Sequence, residues 1–386
     1  MNSPFVGRAD MTPSQFIGRG RVELPTPALV LDIDTMLENI ATMASWAEDH
    51  AAIRPHFKVH KCIEIAREQV GSGAIGMTAA TVWEAAALVD GGIDEILIAN
   101  EVVAPGKIAL LVDLAREAHI TLAVDHADVA ARISNAALSQ GSRLGVVMEV
   151  DVGMHRGGVR SIEEARALAG SLASLQGVDF RGVMGYEGHV VLEPDRERRA
   201  ALAREAMDHI GRYVEALERD GHAVAIVSAG GTNTYDMTGV HPRVTELQAG
   251  TYAVVDAAYA RLVPAFRPAL TLMATVVSRK AGTAILDCGT KALAVEVAPP
   301  EPPSGEVREV HEEHTLLDVR ADERLAIGDV VELVVGYSGG TVNLHDAYFV
   351  ASGEEIVDVW PIVATGAGWT AGFAIERPSD RQALGR

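Results

Sequence analysis

Arg54-Pro55-His56-Phe57-Lys58-Val59-His60-Lys61-Cys62 follows an Ala-rich amphipathic segment and begins just after Ile53. It reads as a short strand running into a loop. Two lysines, two histidines and an arginine crowd the end of that strand. A lysine at the mouth of a barrel or sheet loses its proton when partly buried among other cations. The neutral amine then attacks carbonyls, and forms a Schiff base with pyridoxal phosphate (PLP). The same nonapeptide also reads as a basic surface patch, so its neighbours in the chain must decide.

Outward from it, apolar strands alternate with helices. Strands are expected at 28–32, 53–58, 74–78, 95–99, 120–125, 144–150, 183–186 and 224–228, with Asp34 or Thr35 capping the first helix. Apolar strands with interposed helices make a parallel sheet covered on its outer side. Eight such units point to a TIM-type (β/α)8 barrel, an α/β fold whose active site lies at the C-terminal strand ends; a doubly wound open sheet is the alternative. The polar residues fall just past the strands: Asp32, Lys58, Thr78, Asn100, Asp125, Arg156, Tyr186, His189, Gly230, Gly231 and Thr232. Parallel strands would gather them on one rim. After about residue 267 the texture changes to short β-rich segments, a second, all-β domain, with the Glu-rich run 306–313 as loop. The expected organisation is an arm at 1–25 packed on the β-domain, a barrel at 26–266 and a C-terminal β-domain at 267–386.

The totals narrow the function. A formal charge of -20 argues against a nucleic-acid partner, which needs a basic face. No apolar run is long enough to span a membrane, and the N-terminus lacks the build of a signal peptide. Two cysteines, Cys62 and Cys288, make no disulfide framework and fit a reducing cytoplasm. An anionic ligand therefore needs local cations and amide donors. Ser228-Ala229-Gly230-Gly231-Thr232 follows a strand and can aim backbone amides and hydroxyls at a phosphate, as barrels do in the loops after their last two strands. Arg156, after the sixth strand, can donate to a phenolate or carboxylate, or pair with Asp151. Tyr186 can lie beside a planar cofactor, or be a core residue; His189 can titrate near neutrality, or serve as a structural donor. His311-Glu312-Glu313-His314 reads as a solvated charged run, and His345-Asp346 is a weak metal candidate.

Together these motifs identify a resemblance. The chain resembles the D-threonine aldolase and D-serine dehydratase group, relatives of alanine racemase that bind PLP in a barrel. The resemblance spans 26–369 and rests on TPALVLD (26–32), RPHFKVHKC (54–62), MTAATVWEA (77–85), ILIANEVV (96–103), VDVGMHRGGV (150–159), GYEGH (185–189), VSAGGTNTYD (227–236), VTELQAGTY (244–252), DCGTKAL (287–293) and TVNLHD (341–346). It implies that Lys58 carries PLP, that Arg156 meets the ring oxygen, that Tyr186 lies near the pyridine ring, and that Ser228, Gly230, Gly231 and Thr232 form the phosphate loop. It also implies a homodimer, with the site closed by the partner's β-domain. One departure stands out. The family carries a metal-binding H-x-C or H-x-D before T-V-N-L, and here Tyr337 and Gly339 hold those places, so no metal ligand is assigned.

The resemblance implies a PLP-dependent lyase that cleaves the Cα–Cβ bond of a D-β-hydroxy-α-amino acid, with His189 as base for the β-hydroxyl. A metal-independent racemase, with Tyr337 as the base opposite Lys58, is the alternative that the altered motif favours. A D-hydroxyamino-acid dehydratase and a non-catalytic PLP-binding protein complete the expectations.

Overall fold

The computed structural model describes residues 12–320 and 324–366; the distal end of the expected resemblance, including Trp369, lies outside them. Strand β1 (Ala28–Asp32) and helix α1 (Ile33–Ala47) come first. They are followed by β2 (Ala52–Ile53), α2 (Ile63–Gly71), β3 (Met77–Ala79), α3 (Val82–Asp90), β4 (Glu95–Glu101), α4 (Pro105–Leu114), β5 (His119–Val124), α5 (Ala127–Ser139), β6 (Leu144–Glu149), α6 (Ile162–Ala173), β7 (Val178–Met184), α7 (Arg196–Arg219), β8 (Ile226–Ala229) and β9 (Glu246–Leu247). Strands β2 to β9 form one parallel sheet, in the order β2-β9-β8-β7-β6-β5-β4-β3. It closes on itself: Ile75 N donates to Ile53 O at 2.9 Å and Thr78 N to Pro55 O at 2.7 Å, beside a parallel bridge between His56 and Thr78. This is the expected barrel.

Alternation along the strands explains the layers. In β4, Ile96 and Ile98 join the large core under the helices, while Leu97 points the other way and packs with Ala123, Val147 and Met184 inside the ring. Successive strand side chains face opposite sides, so strands covered on both faces must be apolar throughout. Helix starts are capped by side chains: Thr81 accepts from Glu84 N, Ser161 from Glu164 N and Asp195 from Arg198 N. Each cap contributes about 1 kcal/mol. The cap of α1 is Asp32, which accepts from Thr35 N, rather than Asp34 or Thr35.

The first expected barrel strand is not in the barrel. β1 pairs antiparallel with β10 (Leu270–Lys280), and parallel with Ala347–Ser352 in the C-terminal domain. Its apolar residues serve two cores there: Leu29 and Leu31 join the large one, and Ala28 and Val30 join a small one with Leu24 and Met273. A strand apolar on both sides suits the middle of either sheet, which is why its sequence could not place it. The boundary at residue 26 is corrected accordingly. The vacant barrel position goes to β9, two residues long and too short to show a period. It is fixed by a buried bidentate pair, Arg54 Nε to Glu246 Oε1 at 3.0 Å and Nη2 to Oε2 at 3.1 Å. Breaking such a pair by removing one partner costs roughly 3–5 kcal/mol.

The second sheet continues with β11 (Thr283–Leu286), β12 (Glu306–Val310), β13 (Thr315–Asp318), β14 (Val330–Val334), β15 (Ala347–Ser352) and β16 (Glu355–Pro361). Its order is β12-β13-β11-β10-β1-β15-β16, with β14 on β10. The run 306–313, expected as loop, begins with strand β12, which pairs antiparallel with β13. Residues 12–25 lie along this sheet: Gly18 N donates to Ile356 O and Ile356 N to Arg19 O, and Arg21 pairs with Asp32 and Glu332.

Candidate active site

Strand β2 stops at Ile53, two residues before Pro55, which has no N–H to extend a ladder. The chain then makes a 3-10 turn, Phe57–Val59, with the Phe57 ring buried as its anchor. Lys58 therefore projects from a turn rather than from the end of a strand. The two lysines of the nonapeptide have different surroundings. Lys61 has a positive φ of 47° and is tied down, its Nζ donating to Glu84 Oε1 at 2.7 Å and to Ala364 O at 2.9 Å. Lys58 has no carboxylate partner among the described residues; its Nζ stands 5.8 Å from the centre of the Tyr186 ring. Its surface opens to the pocket while protein crowds its flanks. This loss of hydration lowers the amine below the ordinary lysine value, with Glu84 opposing and the charge of Arg156 adding to the fall. The direction is that of a nucleophile, moderated by the water that still reaches the pocket.

The two histidines are scaffolding. His60 Nε2 meets Gln69 Oε1 at 3.1 Å, its Nδ1 accepts from Cys62 N, and burial takes it down to about 3. His56 is also buried and held low; its Nδ1 has no hydrogen-bond partner.

Lys58, Arg156, Tyr186, Gly230, Gly231, Thr232 and Tyr337 line one cavity of about 370 Å³, within the range of about 300–1,000 Å³ typical of small-molecule sites. Two expected residues are elsewhere. Ser228 is fully buried beneath the loop, its Oγ accepting from Gln248 Nε2 at 2.9 Å. His189 is exposed and faces a separate groove of about 990 Å³, against Gly153, His155 and α7. The turn after β7 points it away from Lys58, so it is not placed to act as base there. The rest of the expected rim is structural. Asp32 belongs to the other sheet, Thr78 Oγ1 donates to Arg54 O, Asn100 Nδ2 donates to Ala80 O, and Asp125 Oδ2 accepts from Gly158 N.

The phosphate-loop expectation needs correction in detail. Gly230 N donates to Glu187 Oε2 at 3.2 Å and Gly231 N to Thr234 Oγ1 at 3.2 Å, so these two amides are already used. The cavity is lined instead by the starts of two 3-10 turns, Thr232–Thr234 after β8 and Thr251–Ala253 after β9. The first amides of such turns have no partner within the turn. Gly250 and Thr251 were missed because β9 was missed; VTELQAGTY was their only signal. His56, Gln248, Tyr259 and Asn343 also line the cavity and were not singled out. The Tyr186 ring lies between Gly188, where a Cβ would overlap it, and Gly231. These residues can hold a planar anionic cofactor: an amine for its carbonyl, a guanidinium for its ring oxygen, a phenol ring at its side and amides for its phosphate.

Arg156 rests against an acidic pair and not against Asp151. Its Nη2 is 3.8 Å from Glu149 Oε1, whereas Asp151 is taken up by the amides of Gly153 and His155 and by Arg160. Glu149 is pushed up to about 8, first by burial, then by its hydrogen bond to Glu101 and by that residue's charge; Arg156 opposes. Glu101 Oε1 is buried with no hydrogen-bond partner in reach, so beside it Glu149 holds its proton. The folded protein keeps that proton between about pH 4.5 and 8, where the unfolded chain has lost it. This contribution to stability falls as the pH rises through that window. Glu149→Gln supplies an amide donor that does not titrate, so the variant should melt higher than the parent at pH 9 and lose its advantage toward pH 5. Equal melting differences at both pH values would rule out the raised Glu149.

The metal implied by the resemblance finds no ligands. Gly339 has no side chain, and a phenol is a poor substitute for imidazole. His345 Nε2 is engaged with Ala292 O at 2.9 Å, and His311 pairs with Glu309 on the surface. Among the described residues no three His, Cys, Asp or Glu side chains converge on one point.

Comparison with known proteins assigns the chain. Residues 31–257 match the family described as alanine racemase, N-terminal domain, and 269–351 match the putative serine dehydratase domain. A D-threonine aldolase from Arthrobacter sp is 38% identical over 376 residues, 95% of this chain and 99% of that protein. The crystal structure of D-threonine aldolase from Filomicrobium marinum superposes with a TM-score of 0.87 at 33% identity, covering 90% of this chain and 96% of that one. A D-threo-3-hydroxyaspartate dehydratase from Delftia sp. HT23 gives 0.81 at 27% identity, covering 90% and 99%. A D-threo-3-hydroxyaspartate dehydratase has also been solved with a cysteine replaced, in a metal-free form, and with a histidine two positions earlier replaced. With barrel, β-domain and near-complete coverage in agreement, this chain belongs to the alanine racemase-type family of PLP-dependent enzymes, in the branch of the D-threonine aldolases and D-serine dehydratase-like proteins.

Proposed function

We propose that this chain cleaves the Cα–Cβ bond of a D-configured β-hydroxy-α-amino acid, releasing glycine and an aldehyde, with PLP held on Lys58. The observation that carries this reading is Lys58, a lysine without a carboxylate partner whose amine is depressed, in a cavity shared with Arg156, Tyr186 and two amide-bearing turns. The aldolase relatives support the reaction type. PLP supplies a sink for the electron pair left at Cα when the bond breaks. Lys58 would hold the cofactor through its amine, Arg156 would donate to its ring oxygen, Tyr186 would pack at the ring, and the turns at 232 and 251 would take the phosphate. Tyr259, Tyr337 and Asn343 line the same cavity and would limit water there. A homodimer in the cytoplasm belongs to the same proposal; both cysteines are free and buried, which suits a reducing compartment.

The test is an incubation of PLP-loaded protein with D- and L-threonine. Acetaldehyde should appear from the D-enantiomer alone. Tyr337 on the cavity wall favours one second reading, racemisation at Cα. Deuterium exchange at Cα with formation of the antipode, and no aldehyde, would establish that reading instead. Ammonia and a keto acid would indicate the dehydratase.

A further inference from the structure

We infer that the site works without a divalent cation, and that the phenol of Tyr337 stands where a cation's ligands would be and hydrogen-bonds the substrate instead. This rests on the aldolase reading above and deepens it. Tyr337 and Gly339 are a matched pair. A Cβ built on Gly339 would lie 3.4 Å from the Tyr337 hydroxyl and 3.5 Å from Cζ, so the phenol lies across the path that a longer side chain at 339 would take. A carboxylate or thiolate at 339 would start in contact with the phenol and would have to share or displace its space.

The charge of the pocket gives an independent reason. Among the described residues lining it there is no Asp, Glu or Cys, while Lys58, Lys61 and Arg156 are all present. Hard divalent cations take oxygen ligands, most of them carboxylates. Here a cation would meet the guanidinium of Arg156, a Lys61 already paired with Glu84, and a lone imidazole, His56, whose only free nitrogen is sealed from solvent. Neither His345 nor Asp346 lines the cavity. The backbone beside the phenol is well held. The next residue, Ser338, donates from both N and Oγ to Asp256 Oδ2 at 2.8 Å, which fixes this corner of the β-domain to the barrel. Burial and the nearby Glu296 and Asp256 raise Tyr337 above the usual tyrosine value, so it stays protonated and acts as a donor.

The experiment combines three readouts on the PLP-loaded full chain. Metal analysis after dialysis against chelator, followed by titration with Mn²⁺ monitored by electron paramagnetic resonance, should show no tight manganese. Aldehyde release from D-threonine should be unchanged by chelator. Tyr337→Phe should lower kcat by about 10²-fold, with the absorption spectrum of the bound cofactor intact and no rescue by Mn²⁺. Stoichiometric Mn²⁺ in the parent chain, or a loss of about tenfold or more on chelation, would overturn the inference. So would a Tyr337→Phe enzyme as active as the parent. If no aldehyde forms under any condition, the aldolase reading fails, and the manganese titration still decides whether the site takes a cation.

Discussion

Lys58→Ala should abolish aldehyde release, by about 10³–10⁴-fold or more, and should also remove the visible absorption of the covalently held cofactor. Both effects follow from one atom. Lys58 Nζ is the amine in the cavity without a carboxylate partner, and burial and Arg156 push it toward the neutral, nucleophilic form. Arginine should not rescue, because guanidinium stays protonated at any workable pH. Lys61→Ala is the informative control. Lys61 holds the buried Glu84 and the Ala364 carbonyl, so its loss should lower the melting temperature and leave the cofactor's absorption in place. If Lys61→Ala and not Lys58→Ala removed the absorption, the assignment of the two lysines would be reversed.

The second large effect is on stability and comes from Glu187, a residue that touches no cavity. Its side chain is fully buried. Oε1 accepts from Thr234 Oγ1 at 2.7 Å and Thr238 Oγ1 at 2.5 Å, and Oε2 accepts from Gly230 N at 3.2 Å. One carboxyl thus ties the turn after β7 to the loop after β8. Glu187→Ala leaves two buried donors, Thr238 Oγ1 and Gly230 N, without an acceptor, each costing about 1–3 kcal/mol, and leaves Thr234 Oγ1 with only Gly231 O at 3.4 Å. A net loss of about 3–5 kcal/mol is expected, after some relaxation of the two hydroxyls. That is a large part of the roughly 5–15 kcal/mol that holds a typical domain together. Thermal melting checks the loss, and PLP titration of the variant should show weakened binding, because Thr232 sits on the loop that Glu187 holds. A variant with parental melting temperature and PLP affinity would mean the loop is held by other contacts.

Periodicity and rim position made the barrel and most of the cavity legible. Strands β4, β5, β6 and β8 announce themselves through apolar runs and β7 only through its apolar end, and Lys58, Arg156, Tyr186 and Thr232 follow strand ends as a parallel barrel requires. The failures have physical reasons. β1 was misplaced because a strand apolar on both faces carries no sign of which sheet covers it; the sign is in its partners, 239 or more positions away. β9 was overlooked because two residues have no period, and Gly250 and Thr251 were lost with it. His189 was put in the site because it follows a strand end, but direction there is set by the backbone of the turn, which residue type does not encode. Gly230 and Gly231 were given to the phosphate on loop composition; Glu187 and Thr234 compete for those amides, and that competition appears only in three dimensions.

The placement of β1 bears on how the protein is made. The ribosome releases residues 28–32 well before their neighbours, Leu270 to Met273 and Phe349 to Ala351. In that interval the nascent chain carries an apolar strand with two unpaired edges while the barrel grows behind it. Such an edge invites pairing with other chains, and a contact of this sequence separation forms late and slowly. Loss of solubility in this protein would therefore begin at its first strand, however sound the barrel.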